Sequence, residues 1–171
     1  MKSLFKLLLL SFLAGLLVVA CSDDDDDNGT EPTDTEFVAT DSDFAGYDSW
    51  NELASNTGPD PALGGFAHGD TNSTRVIWAN DDDITMENGE WPVGTILVKK
   101  MNVTETGDLI AVMAMAKRGA DFNPDHNGWE WFKLAEDGTI NERAADMNNN
   151  GCNGCHSGAA GNDYSFTLMD N

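Results

Sequence analysis

Five short runs of branched, aromatic and other apolar residues follow one another along the chain. They are residues 75–79, 95–101, 109–117, 129–135 and 164–169. Asn-Gly, Thr-Gly-Asp and Asp-Gly sequences lie between them, and such sequences are frequent in tight turns. The pattern therefore predicts short strands in an antiparallel sheet.

The apolar residues just before these runs have the spacing of a helix instead. Tyr47, Trp50 and Leu53 lie three positions apart, which predicts a short amphipathic helix over residues 47–53. The composition becomes globular from about Phe44 and shows no internal repeat, so we predict one domain over residues 44–171. Its predicted fold class is α+β, a predominantly antiparallel β-sheet with short flanking helices.

The first twenty residues are typical of a signal peptide. Lys2 and Lys6 precede an apolar run over residues 7–19, and Ala20 stands directly before Cys21. This arrangement resembles the lipobox of bacterial lipoproteins, which implies that Cys21 becomes the acylated first residue of the mature chain. The alternative is a transmembrane anchor, although the apolar run is short for one and aspartates follow it closely.

Residues 21–43 are predicted to form an acidic, disordered tether, because they contain five consecutive aspartates and few apolar residues. The acidic cluster also resembles the export signal of bacterial surface lipoproteins, and Ser22 argues against retention at the inner membrane. We expect an outer-membrane lipoprotein that faces the periplasm or the cell surface, held to the membrane by its lipid alone. A plain soluble linker also accounts for the aspartates.

The charge of the chain excludes one class of partner. Lys and Arg together number 9 against 30 Asp and Glu, which gives a net charge of −21. A field of this sign repels phosphate backbones, so nucleic-acid binding is excluded.

The most specific chemistry lies at Cys152, Cys155 and His156, which are spaced as Cys-x-x-Cys-His. Two thiols three positions apart are able to add to the two vinyl groups of one porphyrin, and the adjoining imidazole supplies an axial ligand. The motif predicts a covalently attached haem c with His156 bound to the iron. If Cys21 is acylated, all 3 cysteines of the chain have a role.

Zinc binding and thiol redox chemistry have less support as roles of this motif. A zinc site would need a fourth ligand from His68, His126 or a carboxylate, since no second cysteine pair is present. A thioredoxin-type redox pair would be expected between a strand and a helix, not in a glycine-rich C-terminal segment. Only residues 157–171 follow the motif, with Met169 their single methionine, so most of the domain precedes the haem motif.

Four segments in a fixed order resemble the cytochrome P-460 family. They are residues 94–99, the run ending at Lys117 and Arg118, residues 123–131, and the haem motif with residues 163–167 behind it. The resemblance covers about residues 47–168. It implies a mainly antiparallel β fold, often dimeric, that holds a c-type haem with one open axial position. Founding members of the family oxidise hydroxylamine and carry an extra bond from a lysine to the porphyrin edge.

Lys99 matches that cross-linking lysine, because it stands five residues after Gly94. Strand alternation puts Lys99 on one face with Thr95, Leu97 and Met101. If this face looks at the haem, Lys99 is inside. A register slip of one residue would make it an ordinary strand-edge lysine. Family relatives that lack the cross-link, the cytochromes c′-beta, bind small gases at an apolar pocket.

Further residues are candidates for the surroundings of the haem. Arg75 is a candidate partner of a distal ligand or a propionate, with a surface arginine as the alternative. Asp163 is a candidate base or a residue that orients His156, with a turn role as the alternative. His68 and His126 are candidate second axial ligands or proton shuttles, with exposed loop positions that bind no iron as the favoured role. Core packing is the expected role of the remaining candidates, Met113, Met115, Trp50, Trp78, Trp129 and Trp131.

The sequence thus predicts a mono-haem cytochrome that oxidises hydroxylamine or binds a small nitrogen oxide, with Lys99, Arg75 and Asp163 as candidate catalytic residues. Its expected partners are a small nitrogenous substrate, a second redox protein and a second copy of the chain. The alternative is a six-coordinate electron carrier without catalysis, and a surface binding module with a structural haem is a third possibility.

Overall fold

The computed structural model describes residues 36–58, 72–119 and 121–167. Its strands are β1 (Asn51–Thr57), β2 (Ser73–Ala79), β3 (Ile96–Val103), β4 (Leu109–Lys117), β5 (Trp129–Leu134) and β6 (Ile140–Ala144). One α-helix, α1 (Gly151–His156), follows the sheet. Short 3-10 segments cover Asp41–Phe44, Tyr47–Ser49, Pro124–His126 and Ser157–Asn162.

The six strands form one sheet in the order β1-β2-β3-β4-β5-β6, and each strand pairs antiparallel with the next. Tight turns make this simple order possible, because an antiparallel neighbour needs only a hairpin connection. The α+β class, dominated by an antiparallel sheet, is confirmed.

Alternate side chains along each strand point to the same side of the sheet, and one of the two sides is called the Phe132 face here. Its core consists of Ile96, Val98, Ala114 and Phe132 with their neighbours. The segment before β1 covers this face through Ala39, Phe44 and Tyr47, all of which are buried.

The other alternate side chains point to the opposite side of the sheet, the Trp131 face. Leu97, Met115, Trp129 and Trp131 lie on it. The segments after β6 and before β3 cover this face, and their buried contributions are Trp91, Met147 and Cys152. The haem motif therefore packs on the Trp131 face.

The folded domain begins earlier than the composition indicates. Residues 36–43 were expected in the tether, but the amide of Phe37 donates to the carbonyl of Arg118 at 3.0 Å. The guanidinium of Arg143 donates to the carbonyl of Ala39 at 2.7 Å, and Ala39 is fully buried. Few residues here are apolar, yet those few complete the core of the Phe132 face.

Two predicted elements differ from the structure. Residues 47–53 do not form an α-helix: a 3-10 turn over Tyr47–Ser49 ends at Trp50, and β1 begins at Asn51. No strand forms over residues 164–167, because Asp163 and Tyr164 have φ values of 46° and 60°. A left-handed backbone cannot continue a pleated strand.

Strands β1 and β6 and helix α1 were not predicted. Strand β6 has only five residues, none of them buried, so it lacks the apolar alternation of an inner strand. Both strands are sheet edges.

Several sequence predictions fall on residues outside the described ranges. These are the signal peptide at residues 1–20, Cys21, the tether up to residue 35, His68 and Met169. Within the described ranges, no helix has the length and apolar character needed to cross a membrane.

Candidate haem site

Helix α1 carries the haem motif and begins after an unusual turn. Asn148, Asn149 and Asn150 have φ values of 57°, 54° and 65°. Asparagine tolerates this left-handed region better than most residues, so three of them in a row allow the chain to reverse before the helix. The amides of Gly151 and Cys152 then donate to the carbonyl of Met147 at 3.0 and 3.3 Å.

The helix places both motif cysteines on one side, because residues three positions apart are neighbours on a helix surface. Cys152 is 4% exposed and belongs to the core of the Trp131 face, whereas Cys155 is partly exposed. Both are free thiols. Burial raises the pKa of the Cys152 thiol.

Asn153, between the two cysteines, fixes the helix to the sheet. Its side-chain oxygen accepts from the indole N–H of Trp131 at 2.6 Å and from the side-chain Nδ2 of Asn123 at 3.3 Å. Its main-chain N–H donates to the carboxylate of Asp146 at 3.1 Å. The sequence motif leaves this position open, so nothing in the spacing could have indicated its role.

His156 is held in the orientation of an axial ligand. Its Nδ1 atom donates to the carbonyl oxygen of Tyr164 at 2.6 Å. The ring packs between Trp131, with centroids 4.4 Å apart, and Phe166, with centroids 5.2 Å apart. A histidine that donates from Nδ1 presents the lone pair of Nε2 to a metal.

The surroundings of His156 keep its ring neutral. Burial lowers its pKa to about 4, and electrostatic interactions with Lys99 and His126 act in the same direction. The hydrogen bond to Tyr164 opposes them only in part. Since a protonated imidazole cannot bind a metal through that nitrogen, this environment favours ligation at neutral pH.

The residues present fit a covalently held haem. Two reduced thiols lie on one side of a short helix, and a neutral, oriented imidazole follows them. In contrast, no group of three or more His, Cys, Asp or Glu side chains is placed to hold a metal ion in the described ranges. That part of the chain therefore gives no support to a zinc site.

The structure places Lys99 on the Trp131 face. Leu97, two residues earlier in β3, packs in the same core as Cys152, and strand alternation puts Lys99 on the same side. Its cross-strand neighbours are Ile77 and Met113. The side chain is partly exposed, and its charge acts on His156.

Arg75 is buried, contrary to the alternative of a surface arginine. It is 5% exposed and lies on β2 opposite Met101, two residues from Ile77, which is opposite Lys99. Its guanidinium donates to the carbonyl of Gly58. Lys99 and Arg75 are therefore neighbours on one face, and two cations lie on the side of the sheet that carries the haem motif.

Asp163 is part of a buried ion pair. Its oxygens lie 2.9 and 2.8 Å from Nζ of Lys117, and they also accept from the amide of Trp91 and the side chain of Asn127. Sequence reasoning missed Lys117 as the partner, because the two residues are 46 positions apart. The carbonyl that contacts His156 belongs to the next residue, Tyr164.

The remaining candidates divide between the two faces. Met115, Trp129 and Trp131 belong to the core of the Trp131 face, and Trp78 to that of the Phe132 face, with Trp50 packed against it. His126 is partly buried, not fully exposed, and its Nε2 lies 3.2 Å from the hydroxyl of Ser157. It thus lies beside the haem motif.

The fold and the site define a mono-haem c-type cytochrome built on an antiparallel sheet. The family model for cytochrome P460 matches residues 44–167, and the chain belongs to the cytochrome P460 family. Its cofactor is covalently bound haem c. A search of the curated proteins gives no match.

Proposed function

We propose that this chain is a lipid-anchored cytochrome that oxidises hydroxylamine, with Lys99 bonded to the edge of its haem. One observation carries the proposal: Lys99 lies on the sheet face whose core contains Cys152 of the haem motif. This location is compatible with the position of the cross-linking lysine in the family resemblance.

When bound, the haem supplies an iron that exchanges electrons and accepts small ligands. His156 would bind the iron through Nε2, and Cys152 and Cys155 would hold the porphyrin by thioether bonds. The proposed bond from Nζ of Lys99 to the porphyrin edge would require the loss of one hydrogen from the amine and one from a porphyrin carbon. This is a two-electron oxidation, for which we propose a peroxide as oxidant, reduced to two waters.

Oxidation of hydroxylamine to nitric oxide releases three protons and three electrons. We propose that the electrons pass to a partner redox protein and the protons to solvent. Asp163 is a poor candidate for the base, because Lys117, Trp91 and Asn127 already bind its carboxylate. Arg75 is buried beside Lys99, which suits a role in binding a propionate or a distal ligand.

A six-coordinate electron carrier is the second candidate. Met101 and Met113 lie on the same face as Lys99, one beside it on β3 and one opposite it on β4. In such a carrier, the thioether of one of these residues would be the sixth ligand of the iron. The apolar neighbours of Lys99, including Ile77, also suit a gas-binding pocket of the c′-beta type.

The optical spectrum of the purified ferrous protein separates these functions. With a cross-link, we expect the Soret band well to the red of an ordinary c-type haem, a haem peptide that contains both Lys99 and Cys152, and turnover of hydroxylamine. Lys99→Leu should restore an ordinary spectrum and lose turnover while it keeps the haem. Lys100→Leu is the matched control, because Lys100 is the next residue but points to the Phe132 side and pairs with Glu136 at 2.8 Å.

An ordinary spectrum of the wild-type protein together with no turnover of hydroxylamine would contradict the proposal. In that case, a low-spin six-coordinate spectrum would favour the carrier, and a high-spin iron that binds nitric oxide would favour the gas binder.

A further inference from the structure

The turn after the haem motif has a backbone conformation that its residues rarely adopt. Asp163 and Tyr164 both have positive φ, at 46° and 60°, and neither is a glycine. For a bulky residue such as tyrosine this region is unfavourable. Two such residues in succession persist only when their surroundings hold them.

The buried ion pair of Lys117 and Asp163 holds this turn. Side-chain exposure is only 4% for Lys117 and 0% for Asp163. The carboxylate also accepts from the amide of Trp91 and from Asn127, each at 2.8 Å. The carbonyl of Asp163 accepts from the indole N–H of Trp129 at 2.8 Å, so both its side chain and its main chain are bound.

The residue fixed by this anchor provides the hydrogen bond to the axial histidine. Tyr164 follows Asp163 directly, and its carbonyl accepts from Nδ1 of His156 at 2.6 Å. Its own amide donates to the carbonyl of Ala159 at 2.9 Å. Rotation of the Asp163–Tyr164 turn would move this carbonyl away from the imidazole.

Stability alone is a weak reason for such an ion pair. Removal of two charges from water is costly, and replacement of a buried pair by apolar residues is often neutral or stabilising. Here the pair joins β4 to a strained turn, and the residue that follows Asp163 in this turn contacts a cofactor ligand.

We propose that Lys117 and Asp163 are positioning residues, which hold the Tyr164 carbonyl against His156 and thereby set the reduction potential of the haem. A hydrogen bond from Nδ1 raises the basicity of the imidazole, which stabilises the ferric iron. The inference requires His156 as the axial ligand, but it does not depend on hydroxylamine oxidation or on the Lys99 bond.

The test compares two double variants of the full-length holoprotein that each remove one positive and one negative charge. Lys117→Gln/Asp163→Asn removes the proposed anchor. Arg143→Gln/Glu130→Gln is the matched control, because Glu130 is 2% exposed and binds Arg143 at 2.6 Å on the Phe132 side of β5. Net charge is unchanged in both variants.

Two measurements report on the axial histidine. Spectroelectrochemical titration gives the midpoint potential, and NMR gives the exchange rate of the His156 Nδ1 proton with solvent. In Lys117→Gln/Asp163→Asn we expect a higher potential and faster exchange, because a displaced carbonyl weakens the hydrogen bond. In the control variant we expect wild-type values of both.

Wild-type potential and exchange in Lys117→Gln/Asp163→Asn would overturn the proposal, as would equal shifts in both variants. If the double variant does not retain haem, Asn127→Gly gives a milder test, since it removes one hydrogen bond to Asp163 at a position with φ of 49°. It should shift both quantities in the same direction by less, whereas the exposed Asn88→Gly, with φ of 52°, should shift neither. Unchanged values in Asn127→Gly would also count against the anchor.

Discussion

The indole N–H of Trp131 donates to the side-chain oxygen of Asn153 at 2.6 Å, and Asn153 stands between the two cysteines of the haem motif. The contact joins the middle of the haem motif to the centre of β5. Both side chains are buried, so the donor and the acceptor have lost access to water. This hydrogen bond is thus one of the contacts that hold the helix of the haem motif against the sheet.

Loss of this bond should destabilise the domain. We expect Asn153→Ala to lower the free energy of unfolding by about 1–3 kcal/mol, because the N–H of Trp131 is left buried without its partner. Guanidinium denaturation of the holoprotein measures this free energy of unfolding. In a cycle with Trp131→Phe, the double variant should lose less than the sum of the single losses, and simple additivity would show that the two side chains are not coupled.

The two motif cysteines should each hold the haem by a thioether bond. After acid-acetone extraction, the wild-type chain should keep the mass of one haem in a mass spectrum, and Cys152→Ser/Cys155→Ser should lose it. Release of free haem from the wild type, or stoichiometric zinc in its place, would contradict this prediction.

Gly128 should resist substitution more than other glycines with a similar backbone. Its φ is +79°, and an added Cβ would collide with the main chain of Gly119. Gly107 has φ of +75° and nothing within 4 Å of its added Cβ. We expect Gly107→Ala to cost about 1–2 kcal/mol from backbone strain alone, and Gly128→Ala to cost more. Chemical denaturation gives the free energy of unfolding of each variant. Equal losses of stability in the two variants would contradict the prediction.

Tyr47 should titrate well above an ordinary tyrosine. Burial, followed by the charges of Asp48, Glu136 and Asp137, raises the pKa of its phenol to about 12 from 10.0. The folded state therefore disfavours tyrosinate. The contribution of Tyr47 to the free energy of unfolding is constant below pH 10 and is lost as the pH rises from 10 towards 12. Absorbance near 295 nm should show a step near pH 12 that Tyr47→Phe removes, and a difference spectrum with its step near pH 10 would disprove the shift.

Cys21 should be the acylated first residue of the mature protein. A fatty-acid analogue should label the wild type, and Cys21→Ser should be unlabelled because it lacks the thiol that accepts the lipid. Cys155→Ser is a suitable control, since its lipobox is intact. Cys21→Ser that stays in the membrane without label would instead indicate a transmembrane anchor.

The sequence by itself determined the fold class and the cofactor. Four of the predicted strands coincide with β2 to β5 within about one or two residues, because alternating apolar residues and turn sequences are local signals. Cys152, Cys155 and His156 specify haem c, since the chemistry of attachment requires those residue types at that spacing. The order of segments around them indicated the family.

Tertiary structure decided which side of the sheet receives the haem motif. Alternation along β3 grouped Lys99 with Leu97, but only the shared core of Leu97 and Cys152 identified that face. The partners of Asp163 and Asn153 lie 46 and 22 positions away, at Lys117 and Trp131. Long-range pairs of this kind leave no periodic signal in a sequence, because they form only when the sheet brings its strands together.

The left-handed turn after the haem motif also depends on long-range contacts. Residues 164–169 have the composition of a strand, yet the left-handed turn at Asp163 and Tyr164 prevents one in the described part. The local sequence favours an extended strand, but the buried contacts of Asp163 hold the backbone in the left-handed turn instead. The sequence therefore predicts His156 as the axial ligand, and the folded chain supplies the carbonyl that orients its ring.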